Sequence, residues 1–454
     1  MNNQTLIKDY TSGNPFKQLL LFSLPFMASN VLQQAYSMAD TIIVGRYLGS
    51  AGLTASSNAS NIIVMFLLLC IGFSSAGQII VSQHIGAGSR DRLPATIGTL
   101  LTLDFIFGLV FMVIPMVLAD PLLTLINIPD EARAGALDYI RVCSVGNLIM
   151  SLYNGISAVL RGMGDSKHPM MFIIISSVLN VILDIIFVGP LQMGCFGAAL
   201  ATVISQFISC LVSFIFAYTH RTQLCFDFKL KSFRPDATEA RLLFKLGLPM
   251  MVQNTLIMIS MMYINARVNS YGLTAAAVTA VGNKLSMVVS ICTNALNTAG
   301  STLVGQNFAA GKFRRVALTL GCILGLGCAF AVLIALLVSA FPEQIFGIFN
   351  SDPDVLVMCH RFVPILCIDV IGYATRSAAF AFINGIGFAT LSFIGGIIDG
   401  LVCRIGFALL FESVLGLSLS GLWLGNVLAG YVFLFIGGFY FLSGRWKKRK
   451  TLVA

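Results

Sequence analysis

Twelve separate apolar runs, each about the length a helix needs to cross a bilayer, leave this chain few folds to choose from. They fall at about 16–45, 53–82, 94–118, 133–160, 169–189, 194–219, 241–269, 275–304, 315–340, 354–382, 388–411 and 418–443. In hydrocarbon every backbone polar group needs an internal partner, so runs of this length are read as helices. Apolar residues make up 57% of the 454 positions and charged residues 10%. A soluble domain carries about a quarter charged residues. A surface this poor in charge must face lipid. The first run is too long for a signal peptide and is followed by many others, so it too is read as a membrane helix. The expected fold class is an all-α integral membrane protein with twelve transmembrane helices.

Charge sets the orientation. Lys8 and Lys17, Arg90 and Arg92, Arg161 and Lys167, the stretch Arg221 to Arg234, Lys312 to Arg315 and the tail Arg445 to Lys450 occupy alternate loops. The intervening loops carry Asp120, Asp130, Glu131, Glu343, Asp352, Asp354 and Glu412 instead. Both termini are therefore expected in the cytosol, which requires an even number of helices. A basic cytosolic face accounts for the net charge of +9, and no nucleic-acid partner is needed. The eleven cysteines form no CxxC pair and lie mostly within apolar runs, as packing residues do. The four histidines show no metal-ligand spacing.

The chain repeats itself. SQHIGAGSRDRL from Ser82 matches GQNFAAGKFRRV from Gly305, pairing Gln83 with Gln306, Gly88 with Gly311 and Arg92 with Arg315. The same offset pairs Gly162 and Gly164 with Gly385 and Gly387. An offset one residue longer pairs Leu24-Pro25 with Leu248-Pro249, Asn30 with Asn254 and Gly197 with Gly421. Landmarks in register along the whole chain mark a duplication. Each half holds six helices, an even number, so the halves enter the membrane in the same sense. Such parallel repeats are one architecture of secondary transporters, with the pathway between the halves. The expected division is an N-terminal lobe at 1–219, a cytosolic linker at 220–240 and a C-terminal lobe at 241–454.

An ATP-driven pump needs a phosphate loop ending in Gly-Lys-Ser/Thr. The nearest approach, Gly305 to Lys312, has the wrong spacing and is followed by Phe313. Those residues fit a helix-to-helix turn with a capping glycine better. Energy is then expected from an ion gradient, which requires ionisable groups inside the membrane. The acids there are Asp40, Asp104, Asp184, Asp369 and Asp399; the bases are Arg141, Arg267, Lys284, Arg376 and Arg404.

Depth sorts them. At 1.5 Å per residue, Asp40 and Asp184 each lie roughly 8 Å from the outer ends of their helices, Tyr139 roughly 9 Å and Thr202 roughly 12 Å. Asn180 is one turn from Asp184 on the same face. Two carboxylates, an amide and hydroxyls are hard oxygen ligands for a small cation, and two adjacent carboxyls can also share a proton. The competing reading pairs each aspartate locally, for example with Arg46 or Arg141. Asp104 reads as a partner for a neighbouring helix. Asp369 sits deep in the tenth helix as a substrate or proton group, or as a pair with Arg376. Asp399 and Arg404 are five residues apart, a poor spacing for a direct same-face pair, and Lys284 is placed to meet a carboxylate across the bundle. Met250, Met251, Met258, Met261 and Met262 line the seventh helix, either as adaptable substrate surface or as packing. Pro25 and Pro249 interrupt equivalent helices, and a cation at Asp40 can alter the bend at Pro25, the candidate hinge.

The stretch LPFMASNVLQQAYSMADTIIVGRYLG from Leu24, the paired loops after the second and eighth helices, LRGMGDSKHPM from Leu160, NVILDIIF from Asn180 and the duplicated layout together resemble the multidrug and toxic compound extrusion (MATE) family of prokaryotic antiporters. The resemblance implies a V-shaped pair of six-helix lobes opening alternately to the two sides. It implies a monomeric multidrug efflux antiporter in the cell membrane, exporting organic, often cationic, drug-like compounds in exchange for Na+ or H+, with no ATP and no cofactor beyond that ion. Asp40, Asn180, Asp184 and Thr202 match the family's cation-coupling positions, with Tyr139 nearby, and these are the candidate Na+ ligands. Another branch uses a glutamate in helix seven and an aspartate in helix ten. Here Gln253 and Asn254 stand in helix seven, so Asp369 alone corresponds, with Met258 and Met262 as candidate substrate contacts. Three alternatives compete. A lipid-linked oligosaccharide flippase of the same superfamily calls for more basic groups in the cavity. A non-transport membrane enzyme calls for a catalytic motif inside the membrane, and a channel for a repeated filter loop.

Overall fold

The computed structural model describes residues 6–453. Among them the regular structure is helical throughout, with no strand. The first helical run, Pro15–Ala87, is interrupted at Gly49, whose φ of 65° and ψ of −161° no helix accepts. It is two helices, α1 (15–48) and α2 (50–87). Then follow α3 (Leu93–Val117), α4 (Asp130–Gly162), α5 (Lys167–Val188), α6 (Gly194–Thr219), α7 (Ala237–Asn269), α8 (Leu273–Ala309), α9 (Phe313–Ala340) and α10 (Pro353–Gly385). The last two are α11 (Ala389–Val414) and α12 (Ser418–Leu442). Eleven helical runs among the described residues are long and apolar enough to span a membrane, counting Pro15–Ala87 as one; its 73 residues, divided at Gly49, are long enough for two spans, in keeping with the twelve expected from the sequence. The chain is a multi-pass membrane protein.

The duplication is visible at the level of single hydrogen bonds. Gly88 and Gly311 both take a left-handed φ, 76° and 71°, where a side chain is strained. The next residue then reaches back, Ser89 N–H to His84 C=O at 2.9 Å and Lys312 N–H to Asn307 C=O at 2.8 Å. Gly164 and Gly387 repeat the motif after α4 and α10, with Asp165 N–H to Leu160 C=O at 2.8 Å and Phe388 N–H to Ile383 C=O at 3.0 Å. This closure satisfies the last carbonyls of each helix and turns the chain sharply. The Gly311–Lys312 segment is thus a capped turn, as its sequence suggested.

The chain divides into two compact units. The first takes the chain up to Asp9 with Pro25–Met251; the second takes Tyr10–Leu24 with Val252–Ala454. Both changes of unit occur at the paired prolines, beside Pro25 in α1 and within two residues of Pro249 in α7. In the first unit α4 packs against α3 and α6, and α6 against α5; in the second, α10 packs against α8 and α9, and α11 against α12. Lipid offers helices no hydrophobic drive to associate, so close approach and dispersion must hold them. Small residues supply that approach. A Cβ on Gly77 would meet Leu100 at 2.3 Å, and one on Gly300 would meet Ile323 at 2.3 Å; these are repeat-related positions. In the second unit Trp423 packs edge-on to Phe362 at 4.8 Å and donates its indole N–H to Thr279 at 2.8 Å.

Residues outside the spans are tied down locally. In the first unit the linker forms a short turn at Leu230–Phe233. Thr102 donates to the Phe233 carbonyl at 2.6 Å, and the Asp236 N–H donates to Thr99 at 2.9 Å. Hydrogen bonds from the Ser232 hydroxyl and the Lys229 N–H hold the Asp227 carboxyl below its ordinary range. In the second unit Arg315 donates to the carbonyls of Tyr10, Ser12 and Gly13, and Lys312 to that of Thr11. These bonds are why Tyr10–Leu24 counts with the second unit.

Candidate functional site

α1, α4, α5 and α6 bring the five expected residues of the first unit together. Asp184 on α5 is fully buried and its neighbour is the Asp40 carboxyl on α1. Asn180, one turn before Asp184, donates to the Thr202 hydroxyl on α6 at 3.4 Å, and Thr202 donates to the Ala198 carbonyl at 3.1 Å. Tyr139 on α4 is buried within electrostatic reach of both aspartates. Neither aspartate forms an ion pair with Arg46 or Arg141 among the described residues. Four buried oxygens here have no hydrogen-bond partner among the described residues: Oδ1 of Asp40, both of Asp184, and Oδ1 of Asn180.

Two neighbouring carboxyls repel each other when both are ionised. A small cation or a shared proton removes that repulsion and satisfies the orphaned oxygens together. The donor set, carboxylate, amide and hydroxyl oxygen, suits a hard cation. Two further residues lie within electrostatic reach of both carboxyls, Tyr36 and Cys143. The sequence carried their signal: Tyr36 lies four residues before Asp40 and Cys143 four after Tyr139, each one turn along the same face.

Asp104 on α3 is also fully buried. Ser74 on α2 donates to its Oδ1 at 3.0 Å and Ser151 on α4 donates to its backbone carbonyl at 2.7 Å. It bridges neighbouring helices, as expected.

In the second unit the candidates are more scattered. Asp369 on α10 accepts from Ser286 on α8 at 2.6 Å and makes no ion pair with Arg376 among the described residues. Gln253 is buried against Gly396 on α11, where a Cβ would sit 2.8 Å from its Cγ. Asn254 and Met258 are half-buried, while Met262 is 58% exposed. Two expectations are corrected. Arg404 donates to Asp399 at 2.8 Å in a buried ion pair, with a second bond to Asn426 at 2.6 Å. The reason is a π-helical stretch at Ile398–Cys403, in which residues five apart share a face. Lys284 is exposed and meets no carboxylate among the described residues; its ammonium lies 5.3 Å from the Phe349 ring centroid.

A duplicated twelve-helix bundle with paired carboxyls buried in one half is a secondary-transporter architecture. The MatE family profile matches the chain twice, over residues 25–186 and 249–410, two copies displaced by 224 residues like the proline pair. The chain belongs to the MatE family, the multidrug and toxic compound extrusion transporters. The probable multidrug resistance protein YpnP of Bacillus subtilis is 29% identical over 450 residues, covering 97% of this chain and 98% of its own. The probable multidrug resistance protein NorM of Thermotoga maritima is 26% identical over 444 residues, with 96% and 94% covered. An outward-facing multidrug resistance MATE transporter of the MOP superfamily shares the fold, with a TM-score of 0.87 at 23% identity over 97% of this chain and 98% of that one.

Proposed function

We propose that this transporter is a monomeric antiporter of the cell membrane, with both termini cytosolic, which expels organic, often cationic compounds in exchange for Na+ or H+. The observation that carries this reading is the Asp40–Asp184 pair with Asn180 and Thr202, whose unpartnered buried oxygens call for a small cation. The names of its relatives, which are multidrug resistance proteins, support the substrate class. The coupling ion is the only non-protein component the mechanism needs.

The ion neutralises two carboxyls that repel each other and so favours a tighter first unit. Moving one charge through 100 mV supplies about 2.3 kcal/mol. Ion and drug must therefore bind different conformations, because a ligand with equal affinity for both states shifts neither. Pro25 offers the hinge, since it removes one backbone bond from the helix that carries Asp40.

The test is transport by reconstituted protein under separately imposed Na+ and pH gradients. Asp40→Asn and Asp184→Asn keep the shape and remove the charge. Both are expected to insert normally, to retain drug binding and to lose gradient-driven export. Exchange at the wild-type rate by either variant would place coupling elsewhere, with Asp369 the next candidate.

A further inference from the structure

α10 carries two opposite charges that do not meet. Asp369 and Arg376 are seven residues apart, which puts them on one face of the helix about 10 Å apart along its axis. Tyr373 lies between them on the same face, and all three are half-buried. Among the described residues Asp369 accepts a hydrogen bond from the Ser286 hydroxyl, at 2.6 Å, and forms no ion pair. The Arg376 guanidinium lies over the Tyr373 ring, 4.6 Å from its centroid, and no carboxylate approaches it within ion-pair distance among the described residues.

The neighbouring charges do not relieve this. Arg404 and Asp399 lie within electrostatic reach of the same face but are committed to each other at 2.8 Å. Both of the remaining charges lie within a spanning helix, Asp369 at its middle, where an uncompensated ion is costly and is retained for a role. Gly430, at the break between the two helical segments of α12, packs beside the guanidinium: a Cβ there would stand at van der Waals distance, 3.8 Å, from Arg376 Nη1. A planar guanidinium held against an aromatic ring, with donors to spare, is suited to a carboxylate.

We infer that Arg376 is a specificity-determining residue of the second unit, which binds the carboxylate of zwitterionic organic substrates while Asp369, two turns away, receives their cationic end. The inference rests on the export reading above, since it concerns what that transporter carries. It separates two substrate classes. A molecule with both charges engages both ends of the α10 face; its ester, a plain cation, engages only Asp369.

A carboxyrhodamine and its methyl ester make a matched pair, because esterification removes the anion and keeps the fluorophore. Binding of each to purified protein in nanodiscs is read by fluorescence anisotropy, beside a thermal melt. Arg376→Gln is expected to weaken binding of the acid by about tenfold or more and to leave the ester within about twofold, the loss expected for one charge-assisted bond. Arg376→Lys keeps the charge and is expected to recover most of the loss, and it carries the test should the glutamine variant not fold. Asp369→Asn is expected to weaken both dyes. Equal weakening of both dyes by Arg376→Gln would make Arg376 structural and overturn the inference. Unchanged binding of the acid would place the anion elsewhere and overturn it too. Wild-type protein that binds the ester and not the acid sinks this inference alone, whereas failure to bind either sinks the drug-export reading with it.

Discussion

The Asp399–Arg404 pair offers a measurement whose size follows from the structure. Asp399 is fully buried and Arg404 is 2% exposed, so neither charge has water to fall back on. Arg404 also holds Asn426, and its Nη1 lies 3.7 Å from Met261 Sδ. Arg404→Met fills similar volume with no charge. It leaves the Asp399 carboxyl buried without its ion-pair partner, and its Oδ2 is already unpartnered among the described residues. Breaking one side of a buried pair costs about 3–5 kcal/mol. For a cooperative unit of this size about 1 kcal/mol shifts the melting temperature by roughly 2–4 °C, so a drop on the order of 10 °C is expected. The double change Arg404→Met with Asp399→Leu removes both charges. It is expected to recover most of the drop, because replacing a whole buried pair by packed apolar groups is nearly neutral. The assay is thermal denaturation of purified protein followed by size-exclusion chromatography. A drop below about 2 °C for the single variant, or no recovery in the double, would refute the energetic reasoning.

Pro25→Ala is expected to insert normally and to export several-fold more slowly, because the freed backbone bond re-forms and stiffens α1; wild-type transport would remove Pro25 from the mechanism. Gly155→Ala places a Cβ 2.3 Å from Asp104 Oδ2 and 3.2 Å from Leu101, and is expected to cost about 1–3 kcal/mol as overpacking; an unchanged melting curve would show that Asp104 can move aside. A reporter fused after Ala454 is expected to read as cytosolic, since the basic segments alternate strictly along the chain; an external signal would overturn the even count of spans.

The number of helices, their duplication and the membrane environment were legible in the sequence because they are one-dimensional properties. The length of an apolar run, the side on which Lys and Arg accumulate and the spacing of Gly88 and Gly311 need no knowledge of neighbours. The first-unit site was largely legible too. Depth along separate helices places Asp40, Asp184, Asn180 and Thr202 at similar levels, and the resemblance selected these among other polar groups. What depth cannot give is rotation about each helix axis. That rotation, settled only by packing, left Asp40 without Arg46 or Arg141, added Tyr36 and Cys143, and left Met262 exposed. Lys284 likewise ended over Phe349 because of the face it occupies. The Asp399–Arg404 pair escaped the sequence for a sharper reason. Spacing rules assume 3.6 residues per turn, and the π-helical stretch at Ile398–Cys403, with its i→i+5 bonds, widens the turn between the two charges, so that residues five apart come to neighbouring positions on one face.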